Sequence, residues 1–417
     1  MSSSFQETVF QNNCLVRQII DYLLIDEPVH LLHIALINKK FNEEICSRLR
    51  QIQHLEFFSI KHEQPSDNDT EDEKVNEEKE GVVESLPTQY GFNQILCDNL
   101  TIFNSNLLFI THQSPIISLD FIGLNGCDDD CVKLDSLLRL KGIQSMKFHP
   151  SQRHSSNDIY YQLIDKNLQT LKSLIHPPEN FFKSLLHDDT CLKLDYLEID
   201  IAAFRSMSYG IRESEDVYLF EVQEEFEAII EKKIKVKSLT LLGHNCARFQ
   251  SFYTTLLTES KVTTLKMICN EPIITSEDLM IFQEWKNRNK RFPLISDFEV
   301  IFWNDALIND YDTAMKLLFE VFPNLKKIKL GSQKGYSADE CFEMIESIQK
   351  YWKKNTFEKC EHYIHLNTVI PKEHLNNFEL RLMTHKSYRN LSKSCEIWFY
   401  TMRINIQESI EIKFLLL

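Results

Sequence analysis

The sequence predicts an α/β protein, with a small helical module near the N-terminus and then an irregular succession of short strands and helices. Three observations predict it. An apolar stretch of helical period runs from Leu15 to Phe41, "LVRQIIDYLLIDEPVHLLHIALINKKF", and is broken once by "IDEP". After it a six-residue phrase returns along most of the chain: apolar, two free positions, apolar, one free position, apolar. Between its returns lie segments with apolar residues three and four apart, the period of an amphipathic helix.

The first element is a helix pair. Leu15, Val16, Ile19, Ile20 and Leu23 fall on one helical stripe. Pro28 lacks an N–H and fixes φ, which suits the turn or the first turn of the next helix. That helix carries Leu31, Leu32, Ile34, Ala35 and Ile37 before "NKKF". So wide a stripe on so short a unit exceeds what the pair can close by itself. A further surface, of this chain or of another, is expected to cover it.

The second element is a charge tract. From Glu63 to Glu84, ten acidic residues stand against two lysines, a balance of −8 within a chain of net charge −15. Such a composition cannot bury enough apolar surface to offset the entropy of ordering, so 61–84 is expected to be a disordered insertion. Ser66 and Thr70 precede carboxylates there, the context that acidophilic kinases prefer. With the tract set aside, the body is only mildly acidic, which disfavours nucleic acid as a partner.

The third element is the phrase. It reads Ile116/Leu119/Phe121, Ile143/Met146/Phe148, Leu194/Leu197/Ile199, Val236/Leu239/Leu241, Val262/Leu265/Met267, Ile295/Phe298/Val300 and Leu325/Ile328/Leu330. Ile52/Leu55/Phe57 and Cys97/Leu100/Ile102 fit it too, and "LQTLKS" around Leu171 offers a weak copy. Its middle positions lie 27 (119 to 146), 26 (239 to 265), 33 (265 to 298) and 30 (298 to 328) residues apart. Helical segments fill the gaps. "DYDTAMKLLFEVFPNL" aligns Met315, Leu318, Phe319 and Phe322 before Pro323, and "ADECFEMIESIQKYW" aligns Phe342, Ile345, Ile348 and Trp352. A strand and a helix repeated at this period build an irregular leucine-rich-repeat solenoid, with strands stacked as a parallel sheet and helices as an outer layer. An ordinary α/β domain whose strands merely resemble one another is the alternative. Beyond Ile345 the phrase fades, and "YIHLNTVIP", "LNNFELRLMTHK" and "EIWFYTMRINI" read as strands of an atypical C-terminal cap. The expected domains are a helical module at 10–50, the insertion at 61–84, and the repeat domain over 51–417 around it.

At "IIDYL", the "LL" pair and "IALINKKF" the sequence resembles an F-box, the helical module that docks proteins onto a Skp-family adaptor. Ile37, Lys39 and Phe41 stand where that family usually has Val, Lys and an aromatic; its common Leu-Pro opening is absent from "FQNNCLV". The resemblance implies a substrate receptor of a cullin-RING ubiquitin ligase. Its adaptor-binding residues would be Leu15, Val16, Ile19, Ile20, Leu23, Pro28, Leu31, Leu32, Ile37 and Phe41. Its partners would be the adaptor, the cullin scaffold and a protein substrate of unknown identity. Leucine-rich repeats directly after an F-box are a frequent arrangement in that family. The alternative is a repeat scaffold for protein interaction, with a helical cap and no ligase role.

Other functions find little footing. No P-loop, GxSxG or HExxH occurs, and nine glycines in 417 residues supply few phosphate-cradling loops, so no catalytic role and no cofactor is expected. "CDDDC" at Cys127–Cys131 has no nearby histidine, and His30 and His33 are not expected to be ligands, so no metal is expected either. The basic "WKNRNKRF" (Trp285–Phe292) reads as a repeat loop or, alternatively, as a nuclear-import or nucleic-acid contact. "MSSSFQETVFQNN" lacks a basic segment leading into an apolar one, so no secretory leader is expected. No apolar run approaches the ~20 residues of a membrane span, and the 11 scattered cysteines suit a reducing compartment, cytoplasmic and/or nuclear.

Overall fold

A computed structural model describes residues 13–25, 39–58, 94–97, 100–103, 115–122, 137–148, 158–178, 181–184, 192–200, 227–243, 250–269, 279–302, 311–354, 360–386, 388–394, 397–403 and 409–416. The tract 61–84, Pro28, His30, Leu31, Leu32, His33, Ile37 and Cys127–Cys131 lie outside these residues. The chain divides into two compact units. The first is Met1–Leu171 with His176–Glu179, the second Lys172–Ile175 with Asn180–Leu417.

In the first unit, helices α1 (Asn13–Ile25) and α2 (Lys39–Leu49) pack against each other; α2 is not the second helix expected at 31–37, which lies outside the described residues, but a further one that begins within "NKKF". They precede strands β1 (His54–Phe58), β2 (Gln94–Cys97), β3 (Leu100–Phe103), β4 (Ser118–Ile122) and β5 (Ser145–Phe148), and helix α3 (Asp158–Asn167). The strand order is β3-β2-β1-β4-β5. β1, β4 and β5 run parallel, with Leu55, Leu119 and Met146 opposite one another. All three are 0% exposed, as the phrase requires of its middle position. Tyr160 of α3 sets its ring edge-on to Phe121 and Phe148, which stack at 5.2 Å. Such pairs add about 0.5–1.5 kcal/mol each beyond the area they bury.

One expected phrase is corrected here. Cys97/Leu100/Ile102 is not a repeat strand but two antiparallel ones, β2 and β3, with Cys97 directly opposite Leu100. The sequence signal for this was Asp98-Asn99, a turn-forming pair between two apolar runs.

The second unit holds β6 (Ser173–Ile175), α4 (Phe181–Ser184), β7 (Lys193–Asp200), β8 (Lys235–Gly243), α5 (Gln250–Glu259) and β9 (Thr264–Cys269). It continues with α6 (Met280–Asn287), β10 (Asp297–Phe302), α7 (Tyr311–Val321), β11 (Lys327–Tyr336), α8 (Ala338–Lys354) and β12 (Glu361–Thr368). Helix α9 (Leu375–Thr384), β13 (Tyr388–Ser394), β14 (Ile397–Arg403) and β15 (Ser409–Leu416) close it. The order is β6-β7-β8-β9-β10-β11-β12-β15-β14-β13. Every pair from β6 to β12, and β12 with β15, is parallel; β14 and β13 add on antiparallel. The unit is mixed α/β with a mostly parallel sheet.

The phrase stacks in register. Leu174, Leu197, Leu239, Leu265, Phe298 and Ile328 stand opposite one another on successive strands. Ile199, Leu241, Met267, Val300, Leu330, Ile364 and Ile412 form the next row. Both rows are buried. The weak copy is displaced: the strand is Ser173–Ile175, so the phrase is Leu171/Leu174/His176, three residues later than "LQTLKS".

A backbone ladder repeats at one position of the phrase, the residue after its first apolar member. The Lys172 carbonyl accepts from Asp195 N–H (2.7 Å) and Lys237 from Thr263 (3.0 Å). Thr263 accepts from Ser296 (2.9 Å), Ser296 from Lys326 (2.8 Å) and Lys326 from Glu361 (2.8 Å). In the first unit Gln53 accepts from Ile117 (2.9 Å) and Ile117 from Gln144 (2.7 Å). Seven strand starts are thus fixed by a predecessor at equivalent residues; β8 differs, its Lys235 N–H donating to Leu192 O (2.9 Å).

Helices of the second unit pack on the face that carries the buried rows. Phe282 of α6 meets Phe298 edge-on, Trp352 of α8 lies 4.2 Å from the His362 ring, and Phe378 of α9 contacts Phe414. Helix α8 begins with a reciprocal cap: Ser337 N–H donates to Glu340 Oε2 (2.7 Å) and Glu340 N–H to Ser337 Oγ (3.4 Å). At the cap, "LNNFELRLMTHK" is corrected from strand to helix α9. Its alternation of Phe378, Leu380 and Leu382 suggested period two, but Leu380 is 61% exposed while Phe378 and Leu382, four apart, are buried.

Candidate interaction surfaces

Two surfaces bear on function. The first is the helix pair of the first unit. Val16, Ile20, Phe41, Ile45 and Leu49 are buried, Ile20 completely, and form the inside of the pair. Arg17 on α1 and Arg48 on α2 both reach the Glu44 carboxylate at 3.1 Å, which ties the two helices together across their rim. Leu15 is 38% exposed and Ile19 is half-buried. Leu23 lies on α1. The predicted site residues therefore separate: Val16, Ile20 and Phe41 hold the pair, while Leu15 and Ile19 carry apolar surface outward.

The second surface is the face of the second unit's strands opposite the buried rows. One row reads Glu198, Thr240, Lys266, Glu299, Lys329, Tyr363 and Glu411 across successive strands. The next, toward the strands' C-terminal ends, reads Asp200, Leu242, Ile268, Ile301, Gly331, His365 and Lys413. Lys266 (3.4 Å) and Lys329 (2.9 Å) reach the same oxygen of Glu299. Tyr196 donates to Glu198 and lies 3.1 Å from Thr240 Oγ1; burial, then the Glu198 bond, push its pKa up to about 12. His365 is half-buried, and burial together with Lys329 and Lys413 lowers its pKa to about 4. Its imidazole is neutral at physiological pH. The surface thus combines paired charges with a row of half-buried apolar side chains.

The basic "WKNRNKRF" is the end of α6. Asn289 takes φ +55°, its N–H donates to Lys286 O (2.8 Å), and Lys290 N–H donates to Trp285 O (2.7 Å). That pair of bonds is a helix stop with a left-handed residue. Trp285 and Phe292 are buried ring to ring at 4.9 Å, Lys286 pairs with Glu320 and Arg288 with Glu284. Among the described residues no group of histidine, cysteine and carboxylate side chains could hold a metal ion, and no helix is long and apolar enough to cross a membrane. No protein-family model matches the chain, and no curated protein matches its sequence.

Proposed function

We propose that this chain is an F-box-like substrate receptor. The helix pair would dock on a Skp-family adaptor and cullin scaffold, and the strand succession, read as an irregular leucine-rich-repeat solenoid, would hold a protein substrate. The chain itself would perform no chemistry, and would raise the substrate's effective concentration near ubiquitin-transfer machinery. The observation that carries the reading is the order and spacing of parts. A helix pair with outward Leu15 and Ile19 ends at Leu49, and four residues later Gln53 supplies the first rung of a ladder that recurs at the same phrase position. A short, hydrogen-bonded junction of this kind would fix the first strands of the ladder relative to the helix pair.

In co-purification of the full chain from cells, adaptor and cullin subunits are expected to come down with it. Leu15→Asp combined with Ile19→Asp should lose both subunits while leaving the denaturation midpoint unchanged. Recovery of folded chain with neither subunit would sink the reading. The second reading, a repeat scaffold whose helices serve as a cap, draws support from Ile20: at 0% exposed, it shows how much of the pair's apolar stripe is already covered.

A further inference from the structure

We propose that the open strand face around His365 seats an extended acidic segment of a partner protein, with its carboxylates over Lys329 and Lys413. The inference rests on reading the chain as a receptor for a protein, and it names the chemistry that receptor would select.

Charge is the first argument. His365 stands opposite Gly331 on β11 and Lys413 on β15. The charged groups that act on it are Lys329, Lys413 and Lys266, against the single carboxylate of Glu299. Lys266 and Lys329 share one oxygen of that carboxylate, so it serves two ammonium groups. Glu411 and Glu361 act on Tyr363, one rung away. Three cations and one anion thus converge on a half-buried position, where charges attract more strongly than in open water.

Shape and polarity are the second argument. From β8 toward His365 the same row presents Leu242, Ile268 and Ile301, all half-buried. At Gly331 a Cβ would come within 3.3 Å of Ile301 Cγ1, so the row carries no side chain between Ile301 and His365. An extended peptide presents alternate side chains to one surface. Apolar groups would lie along Leu242–Ile301 and an acidic one at the lysines. Nucleic acid would also seek the lysines, but the apolar row of Leu242, Ile268 and Ile301 beside them suits a peptide better.

The imidazole provides a reporter. A carboxylate brought beside it offsets the lysines and stabilises the imidazolium, whereas covering the ring adds to the burial that lowers its pKa, so at equal coverage an acidic peptide leaves His365 with the higher pKa. The test uses the full chain and fluorescein-labelled peptides of alternating leucine and aspartate, or leucine and asparagine, followed by anisotropy near pH 7.5. The aspartate peptide should bind about tenfold tighter than the asparagine one. Lys329→Gln and Lys413→Gln should each weaken it about fivefold, and about 0.3 M salt should erase most of the preference. In NMR of histidine-labelled protein, His365 should titrate at higher pH with the aspartate peptide than with the asparagine peptide. Equal affinities, no binding of the aspartate peptide at millimolar concentration, or tighter binding of oligothymidylate would each overturn the inference. The two proposals fail separately. Adaptor capture involves neither Lys329 nor Lys413, so its loss with peptide preference intact would sink only the ligase link.

Discussion

Replacing His362 by leucine should stabilise the protein, and by an amount that grows as the pH falls. His362 occupies, on β12, the row that Ile328 fills on β11 and Ile410 on β15. It is 5% exposed, its ring tilted 59° to that of Trp352 at 4.2 Å, and its Nε2 has no hydrogen-bond partner among the described residues. At neutral pH, leucine would relieve an unsatisfied polar atom, worth about 1–3 kcal/mol, and would lose a ring contact worth about 0.5–1.5 kcal/mol. The net is a gain of about 1 kcal/mol. Burial lowers the His362 pKa from 6.5 to about 3. The unfolded chain therefore takes up a proton below pH 6.5 that the folded chain refuses until about pH 3, and stability falls as pH falls through that window. From pH 7.5 to 5.0 the loss is about 2 kcal/mol at 1.36 kcal/mol per unit. Urea titrations of both proteins at the two pH values measure it, since other titrating groups cancel between them. The variant's advantage should rise from about 1 to about 3 kcal/mol. Parallel pH dependence of the two proteins would refute the claim that the imidazole is buried and neutral.

Asn167→Ala should destabilise the first unit by about 2–3 kcal/mol in urea titration. The buried amide accepts from Ile143 N–H (3.0 Å) and donates to Leu163 O (2.8 Å), and a loss under about 0.5 kcal/mol would show that these groups find other partners. Gly142→Ala should lower stability by about 1 kcal/mol through backbone conformation alone, because φ is +87° and a Cβ there meets nothing within 4 Å. A neutral result in the same titration would mean that the turn relaxes.

The strand succession was legible because its signal is redundant. Seven phrases between Ile116 and Leu330 carry three apolar positions each, all buried on one face, and the helices at 311–321 and 338–354 keep a clean helical period. The phrase disappears at β12 for a physical reason: His362 takes the middle position, and a buried neutral imidazole looks polar in the sequence. His176 hides the β6 phrase in the same way, closing it with a buried ring whose Nδ1 donates to Phe148 O (3.2 Å) at φ +49°. Helix α9 was misread because Leu380 imitates a strand's alternation while facing solvent. The open face around His365 was not legible at all. Its residues come from strands up to 147 positions apart (266 to 413) and share only register, which local pattern does not encode.

Strand β15 lies between β12 and β14, parallel to one and antiparallel to the other, yet it follows both in the chain. During synthesis the ladder can grow rung by rung behind the ribosome, each strand finding its predecessor waiting. Its far end has no such luxury. Until residues 409–416 emerge, β12 offers a bare rim of backbone amides and carbonyls, and the β13–β14 ribbon rests on helix α9, Phe378 against Trp398 and Glu379 against Lys393, without its strand neighbour. Strand β15 acts as a keystone, so a chain stopped short of residue 409 should fail at this end first, while its earlier rungs are already in place.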